Sequence, residues 1–407
     1  MSIARLWNYK ADSWLKGRRN LYSDLKKKMD NNKKEVIWMH CASLGEFEQG
    51  RPVIERIKKN FPDLFILITF FSPSGFENIK NYKGADCISY LPLDTRNNAK
   101  KFLNIVDPKL VLWVKYEYWY HFLNALSQRK IPVLLISGIF RKNQMFFKSF
   151  GQLWKNILSK ITYFFLQDNK SSQLLQKIGF NNTTVSGDTR FDRVLEISQN
   201  VNRINCISEF CSGHKVIVAG STWEEDEVLL IHYLKINPQV RLILAPHEID
   251  RENLINVRKN FPRSIYYSEW CKLQQSLNID NKITYNCLII DNIGMLSVLY
   301  KYADVCYVGG GFGAEGVHNV LEPAVFGKPV LFGPEYEKYL EASELIECGG
   351  ADEIKNAIDL EQSLDALLNN EIKKEKWGSA SREYVINKAG ATDSIVEYIY
   401  KNRLLTS

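Results

Sequence analysis

Two successive series of short apolar runs, each run separated from the next by a stretch with helical spacing, constrain this chain more than any other feature. The first series covers residues 36–42, 64–71, 87–93, 110–114, 133–137, 163–167 and 183–186. The second covers 215–219, 240–245, 265–267, 287–290, 305–308 and 329–332. A continuous apolar run has no polar face, so a strand built from it must be covered on both sides. Helices between the runs supply that cover, which is the pattern of a parallel α/β sheet. Two series in 407 residues predict two doubly wound domains, their sheets facing across a cleft. The expected divisions are a basic, aromatic segment at 1–35, a first domain at 36–200, a second at 213–385, and a C-terminal helix at 386–407 packing back on the first domain. The polar stretch 192–213 contains no strand-like run and marks the boundary.

No stretch approaches the roughly 20 apolar residues of a membrane span. Lys10, Asp12, Lys16, Arg18 and Arg19 interrupt any signal-peptide run, so the chain is expected in the cytoplasm. The net charge is +7, and residues 1–35 hold ten basic residues against four acidic ones, nearly the whole excess. Aromatic and basic side chains together suit the headgroup region of an anionic membrane, so Trp7, Trp14, Arg18 and Arg19 are the expected contacts. The alternative is a solvated helix with its aromatics turned onto the first domain. Nucleic acid is not an expected partner, because the basic charge does not extend along the rest of the chain. Eight cysteines without a CxxC pair, several inside apolar runs, are expected to be free, mostly buried thiols and not a zinc site.

In open α/β sheets ligands bind beyond the carboxyl ends of the strands, so the residues following each run are the candidate site. In the first half these are Ser43-Leu44-Gly45-Glu46, Ser72-Pro73-Ser74-Gly75, Glu117-Tyr118-Trp119 and Gly187-Asp188-Thr189-Arg190. In the second they are Gly220-Ser221-Thr222, Pro246-His247-Glu248, Asp291-Asn292-Ile293-Gly294 and Gly309-Gly310-Gly311-Phe312.

The densest signal is Gly309–Glu322, where a strand runs into glycines and a helix is expected to start near Val317. Backbone amides of Gly310 and Gly311 there could meet an anion. Gly311-x-Gly313-x-x-Gly316 formally matches a dinucleotide fingerprint, but no acidic residue for a ribose follows the next strand. His318 reads either as a core histidine or, with Asn319 beside it and Glu322 one turn on, as a ligand-facing residue. Glu224, Glu225, Asp226 and Glu227 suit the first turn of a helix, whose start Ser221 and Thr222 would cap. Without an Asp-x-Asp motif, no obligatory divalent metal is expected. Glu46 reads either as a general base or as the carboxylate of a capping box with Ser43.

Taken in order, these motifs resemble the Kdo transferases, which move 3-deoxy-D-manno-octulosonic acid from CMP-Kdo to a lipid A precursor. The resemblance spans about residues 10–400. Ser43–Glu46 matches the family's S-x-G-E and Ser72–Gly75 its T-P-T-G. Asp107-Pro108-Lys109-Leu110 followed by Glu117-Tyr118-Trp119 matches its E-L-W. Gly187–Asp192, Gly220–Thr222, and Val308–Gly310 through His318–Glu322 complete the match. Lys115 stands where the family has the first Glu of E-x-E-L-W, and Ile139, with Arg141 two residues on, where it has Arg. Pro246-His247-Glu248 replaces P-R-H, and Gly294-Met295-Leu296 replaces G-E-L.

The resemblance implies the GT-B fold of two Rossmann-like domains, the N-terminal one taking the acceptor and the C-terminal one the CMP-sugar. It implies inversion at the anomeric carbon without metal or cofactor, peripherally on the cytoplasmic face of the bacterial inner membrane. Glu46 is then the expected base, with Glu117 orienting it or the acceptor. Ser43, Ser72, Ser74 and Arg190 are expected at the acceptor or a carboxylate. Ser221, Thr222, His247, Asp291, Gly294, Gly310, Gly311, His318, Asn319 and Glu322 are expected at the donor. The rival readings are another GT-B enzyme using a UDP-sugar, such as a UDP-N-acetylglucosamine epimerase, a NAD-dependent oxidoreductase, and a catalytically silent membrane scaffold.

Overall fold

Each apolar run becomes a strand because its backbone polar groups are satisfied by neighbouring strands while both faces of side chains are buried. In the computed structural model, residues 14–405 are described except 116, 149–150 and 276–284. The described residues form two units, one comprising the chain up to Asp192 together with the stretch from Ala389, the other Arg193–Lys388. The division falls inside the helix Thr189–Gln199, at the start of the polar stretch and not within it.

In unit 1 the strands are β1 Val36–Cys41, β2 Phe65–Phe70, β3 Cys87–Tyr90, β4 Leu110–Val114, β5 Val133–Gly138, β6 Tyr163–Leu166 and β7 Thr183–Val185. They pair in parallel in the order β3-β2-β1-β4-β5-β6-β7. Every residue of β1, β2, β4 and β5 is buried, as strands covered on both faces require. The order reverses between β1 and β4, which opens a crevice at their carboxyl ends.

The helix Leu44–Asn60 covers one face, and the final helix, Ala391–Lys401, packs against it through Ile395, Val396 and Ile399. Asp192 fixes this return of the chain: its carboxylate accepts the amides of Gly390 (2.6 Å) and Thr392 (2.7 Å). The segment Gly187–Asp192 therefore serves as a clasp. Asp188 accepts from Gln49 (3.1 Å), and the Thr189 hydroxyl reaches the Gln49 carbonyl and lies 3.2 Å from Ser137.

In unit 2 the strands are β8 Val216–Thr222, β9 Arg241–Pro246, β10 Ser264–Tyr266, β11 Cys287–Ile289, β12 Val305–Val308, β13 Val330–Phe332 and β14 Ala351–Glu353. They also pair in parallel, in the order β10-β11-β9-β8-β12-β13-β14, with the reversal between β8 and β12. Strand β14 has no apolar run to announce it, since it is a three-residue edge strand with the sequence Ala-Asp-Glu.

Three sequence expectations change here. Cys206 and Cys271 form a disulfide between the helices Asn205–Cys211 and Tyr267–Gln275, so two of the eight cysteines are not free. The helix expected near Val317 begins only at Leu321. The Val317 and His318 amides are already committed, to the carbonyls of Glu335 (2.9 Å) and Gly309 (3.1 Å).

The third change concerns the N-terminal aromatics. Trp14 is 8% exposed, and the Arg18 guanidinium lies 3.9 Å from its ring centroid and 4.6 Å from that of Tyr90. Arg18 donates to the carbonyls of Phe71 (2.8 Å), Leu91 (3.0 Å) and Trp14 (3.1 Å), so it closes the carboxyl ends of β2 and β3. Apolar contact and carbonyl acceptors near these strand ends turn both side chains onto unit 1, which is the arrangement of the alternative reading. Arg19 is exposed, and Trp7 lies outside the described residues.

Candidate active site

In unit 1 two carboxylates meet at the strand-order reversal. Glu46 sits in the first turn of the helix that follows β1, and Glu117 in the loop that follows β4. Glu46 turns back on its own helix start, accepting the Ala42 amide and drawing on that of Ser43. The capping geometry is therefore real, but it runs from Glu46 alone, since the Ser43 side chain makes no cap bond. Burial raises the Glu46 pKa, against the lowering effects of the Ala42 amide, the Lys115 ammonium and the Ser43 amide. Burial, then the Glu46 charge, pushes Glu117 up to about 7. A carboxylate raised in this way accepts a proton more readily than an ordinary surface carboxylate. Lys115, in the left-handed region at φ 56°, places a cation where it acts on Glu46.

Ser72 and Ser74 lie beyond β2. Their hydroxyls are 2.9 Å apart, and Ser72 caps the helix Pro73–Ile79 by accepting from Gly75. Arg190 does not present an open fork: its Nε (2.9 Å) and Nη2 (2.8 Å) both engage Asp188, which holds it to the clasp.

In unit 2 the reversal between β8 and β12 holds a cavity of about 280 Å³ lined by Ser221, Gly294, Leu296, Ser297, Tyr300, His318, Asn319 and Glu322. Asn319 organises one wall, its Nδ2 donating to Glu322 (3.1 Å) and its Oδ1 accepting from the Leu321 amide (3.2 Å). Beside the cavity, His247 stacks on Trp223 and on His318, with ring centroids 4.5 Å apart in both pairs. The Trp223 indole donates to His318 Nε2 (3.3 Å), and burial with His247 nearby lowers the His318 pKa. Two other hollows, of about 210 and 260 Å³, lie near the amino ends of these strands, away from where open sheets bind ligands.

Several expected donor residues have other work. Thr222 is buried and bonds Glu227 (3.0 Å). Asp291 accepts from the Ser268 amide (3.1 Å) and hydroxyl at the start of the helix Tyr267–Gln275. Gly310 and Gly311 are packed and do not form an open cradle. A side chain on Gly311 would meet the Gly333 backbone at 2.6 Å, and the Gly310 amide donates to Asp226 (3.0 Å). Asp226, read from the sequence only as a first-turn acid, also accepts from the Trp223 amide (2.9 Å) and Tyr307 (2.8 Å), tying the helix Glu224–Ile236 to the glycine turn. Ser297 and Tyr300 were not anticipated. Their signal is spacing, since they fall one and two turns after Gly294.

Comparison with known proteins agrees with the resemblance. Residues 15–193 match the family described as 3-deoxy-D-manno-octulosonic-acid transferase (kdotransferase). The 3-deoxy-D-manno-octulosonic acid transferase of Haemophilus influenzae is 26% identical over 89% of this chain and 86% of its own length. That of Aquifex aeolicus is 29% identical over 86% of this chain and 91% of its own. Among solved structures, UDP-GlcNAc 2-epimerase from Neisseria meningitidis, bound to UDP-GlcNAc, superposes with a TM-score of 0.61. At 17% identity, covering 90% of this chain and 100% of that one, it shares the fold, which is of the GT-B type.

Proposed function

We propose that this chain, a relative of the 3-deoxy-D-manno-octulosonic acid (Kdo) transferases over most of its length, moves Kdo from CMP-Kdo to a hydroxyl of a lipid A precursor with inversion at the anomeric carbon. The observation that carries the mechanism is the Glu46–Glu117 pair at the β1/β4 reversal. Glu46 takes the acceptor hydroxyl's proton as the oxygen bonds the anomeric carbon. The bond from that carbon to the phosphate oxygen breaks, and CMP leaves with the electron pair. Burial raises the affinity of Glu46 for the proton and Lys115 opposes it, while the Glu46 charge holds the Glu117 proton. In unit 2, Glu322 accepts from ribose hydroxyls, and Asn319 has a second amide hydrogen for the phosphate or the Kdo carboxylate.

What supports a peripheral site on the inner membrane's cytoplasmic face is charge: Lys16, Arg19, Lys26, Lys27, Lys28, Lys33 and Lys34 are exposed. No described helix is long and apolar enough to cross a membrane. The test is purified protein with CMP-Kdo and a lipid A precursor, products read by mass. A gain of Kdo is expected, with Glu46→Ala slower by about 10²–10⁴-fold. No product from the wild type, or near-normal transfer by the folded variant, refutes the reading.

A further inference from the structure

We propose that His40 is a positioning residue for the Glu117 carboxylate, acting through the Trp119 indole; this rests on the transfer reaction proposed above and adds a residue that touches no substrate. The register of the sheet puts His40 on β1 directly beside Thr69 on β2 and Trp113 on β4. Trp38, two residues earlier on the same strand face, joins them. All four side chains are fully buried. A polar thread runs through this aromatic core. Trp38 Nε1 donates to Thr69 Oγ1 (2.8 Å), His40 Nδ1 lies 2.9 Å from the same oxygen, and Trp119 Nε1 donates to His40 Nε2 (3.2 Å).

An indole N–H can only donate. His40 Nε2 is therefore the acceptor, and the ring proton sits on Nδ1, facing Thr69. A second ring proton would set N–H against N–H, and burial already pushes the His40 pKa down to about 3. The imidazole is thus a permanent neutral acceptor, not an acid or base in the reaction.

Its customer is the loop after β4. The Trp113 indole donates to the carbonyl of Glu117 itself. Trp119, two residues on, is fixed by His40 from beneath and by Phe71, whose ring centroid lies 4.8 Å away. Both ends of Glu117–Trp119 are therefore pinned, one at the carboxylate's own residue and the other through His40. An apolar side chain at position 40 would fill the same space among Trp38, Trp113 and Thr69 but leave Trp119 without its anchor.

Trp119→Phe removes the N–H and keeps the ring, so it tests the bond without hollowing the core. His40→Leu removes the acceptor, and His40→Gln offers a replacement carbonyl. The first readout is Glu117's own titration, followed by carboxyl-carbon NMR, which needs no substrate. In Trp119→Phe and His40→Leu the midpoint should move by about half a pH unit or more as the carboxylate leaves its place near Glu46, and His40→Gln should restore most of it. In transfer assays kcat should fall about 10–100-fold with acceptor KM within about twofold, as for a misplaced group. The double variant should be no worse than the worse single one. An unmoved Glu117 titration in Trp119→Phe overturns the inference whatever the substrate proves to be. Absence of Kdo transfer by the wild type, with the titration moving as described, refutes only the proposed reaction. If His40→Leu does not fold, Trp119→Phe decides.

Discussion

Removing the charge of Lys115 should make Glu46 a weaker acid, whereas neutralising Glu117 should leave the Glu46 ionisation in place. Burial and, second to it, the Glu46 charge raise the Glu117 carboxyl from 4.5 to about 7. As the smaller of two causes, the charge supplies at most about half of that rise, roughly one pH unit or about 1.4 kcal/mol. Glu46 is raised less and ionises first, beside a Glu117 that is still protonated and neutral, so the repulsion falls on Glu117 and not on the ionisation of Glu46. Glu117→Gln keeps the shape and removes the like charge. The acid limb of kcat/KM, set by loss of the Glu46 proton, should therefore stay in place. Lys115 lowers the Glu46 pKa, so Lys115→Met should shift the same limb to higher pH. The assay is kcat/KM for Kdo transfer from pH 5 to 9 for the wild type and both variants, with thermal melts showing that all are folded. A limb that stays in place in Lys115→Met, or that shifts by about a full unit in Glu117→Gln, refutes the carboxylate-pair reasoning.

Glu227 gives a stability prediction in unit 2. It is 4% exposed, and burial pushes it from 4.5 up to about 7. Its contribution is present below pH 4.5 and lost as pH rises through 7, so Glu227→Gln should stabilise by about 2 kcal/mol at pH 9 and change little at pH 5. Urea melts showing an equal effect at both pH values would count against this. Gly310→Ala should cost about 2–3 kcal/mol, because φ is 91° and the added carbon would meet the Gly316 carbonyl at 2.6 Å. Gly294→Ala (φ 93°, nothing within 4 Å) should cost only about 1 kcal/mol, and equal midpoints in urea would contradict the packing account. Trp14→Ala should lower the melting temperature, a loss of about 3 kcal/mol, and leave binding to anionic vesicles unchanged. Weaker vesicle binding at unaltered stability would instead make Trp14 a membrane contact.

The strands were legible because burial on both faces leaves a continuous apolar run, and β14 was not because an edge strand needs none. Strand ends pointed to Glu46, Glu117, Ser221, Asn319 and Glu322, since the crevice of an open sheet lies there whatever its ligand. What could not be read was the direction of a side chain once more than one partner lay in reach. Thr222 turns to Glu227, Arg190 to Asp188, and the Gly310 amide to Asp226, partners that only the folded backbone brings near. The same limit hid His40, one polar letter in the buried run Val-Ile-Trp-Met-His-Cys, and the Cys206–Cys271 bond, whose partners lie 65 residues apart.

The clasp formed by Asp192 with Gly390 and Thr392 also sets an order of events at the ribosome. The residues of unit 2 are all synthesised between Arg193 and Lys388, while unit 1 still lacks the stretch from Ala389 onward. Ile395, Val396, Ile399 and Leu405 complete one face of the earlier-made sheet. Until they emerge, the helix Leu44–Asn60 covers that face, and its own outer apolar side waits for the time needed to translate an entire second sheet, at about 5–20 residues per second. Truncation within the last helix should leave unit 1 in that incompletely packed state.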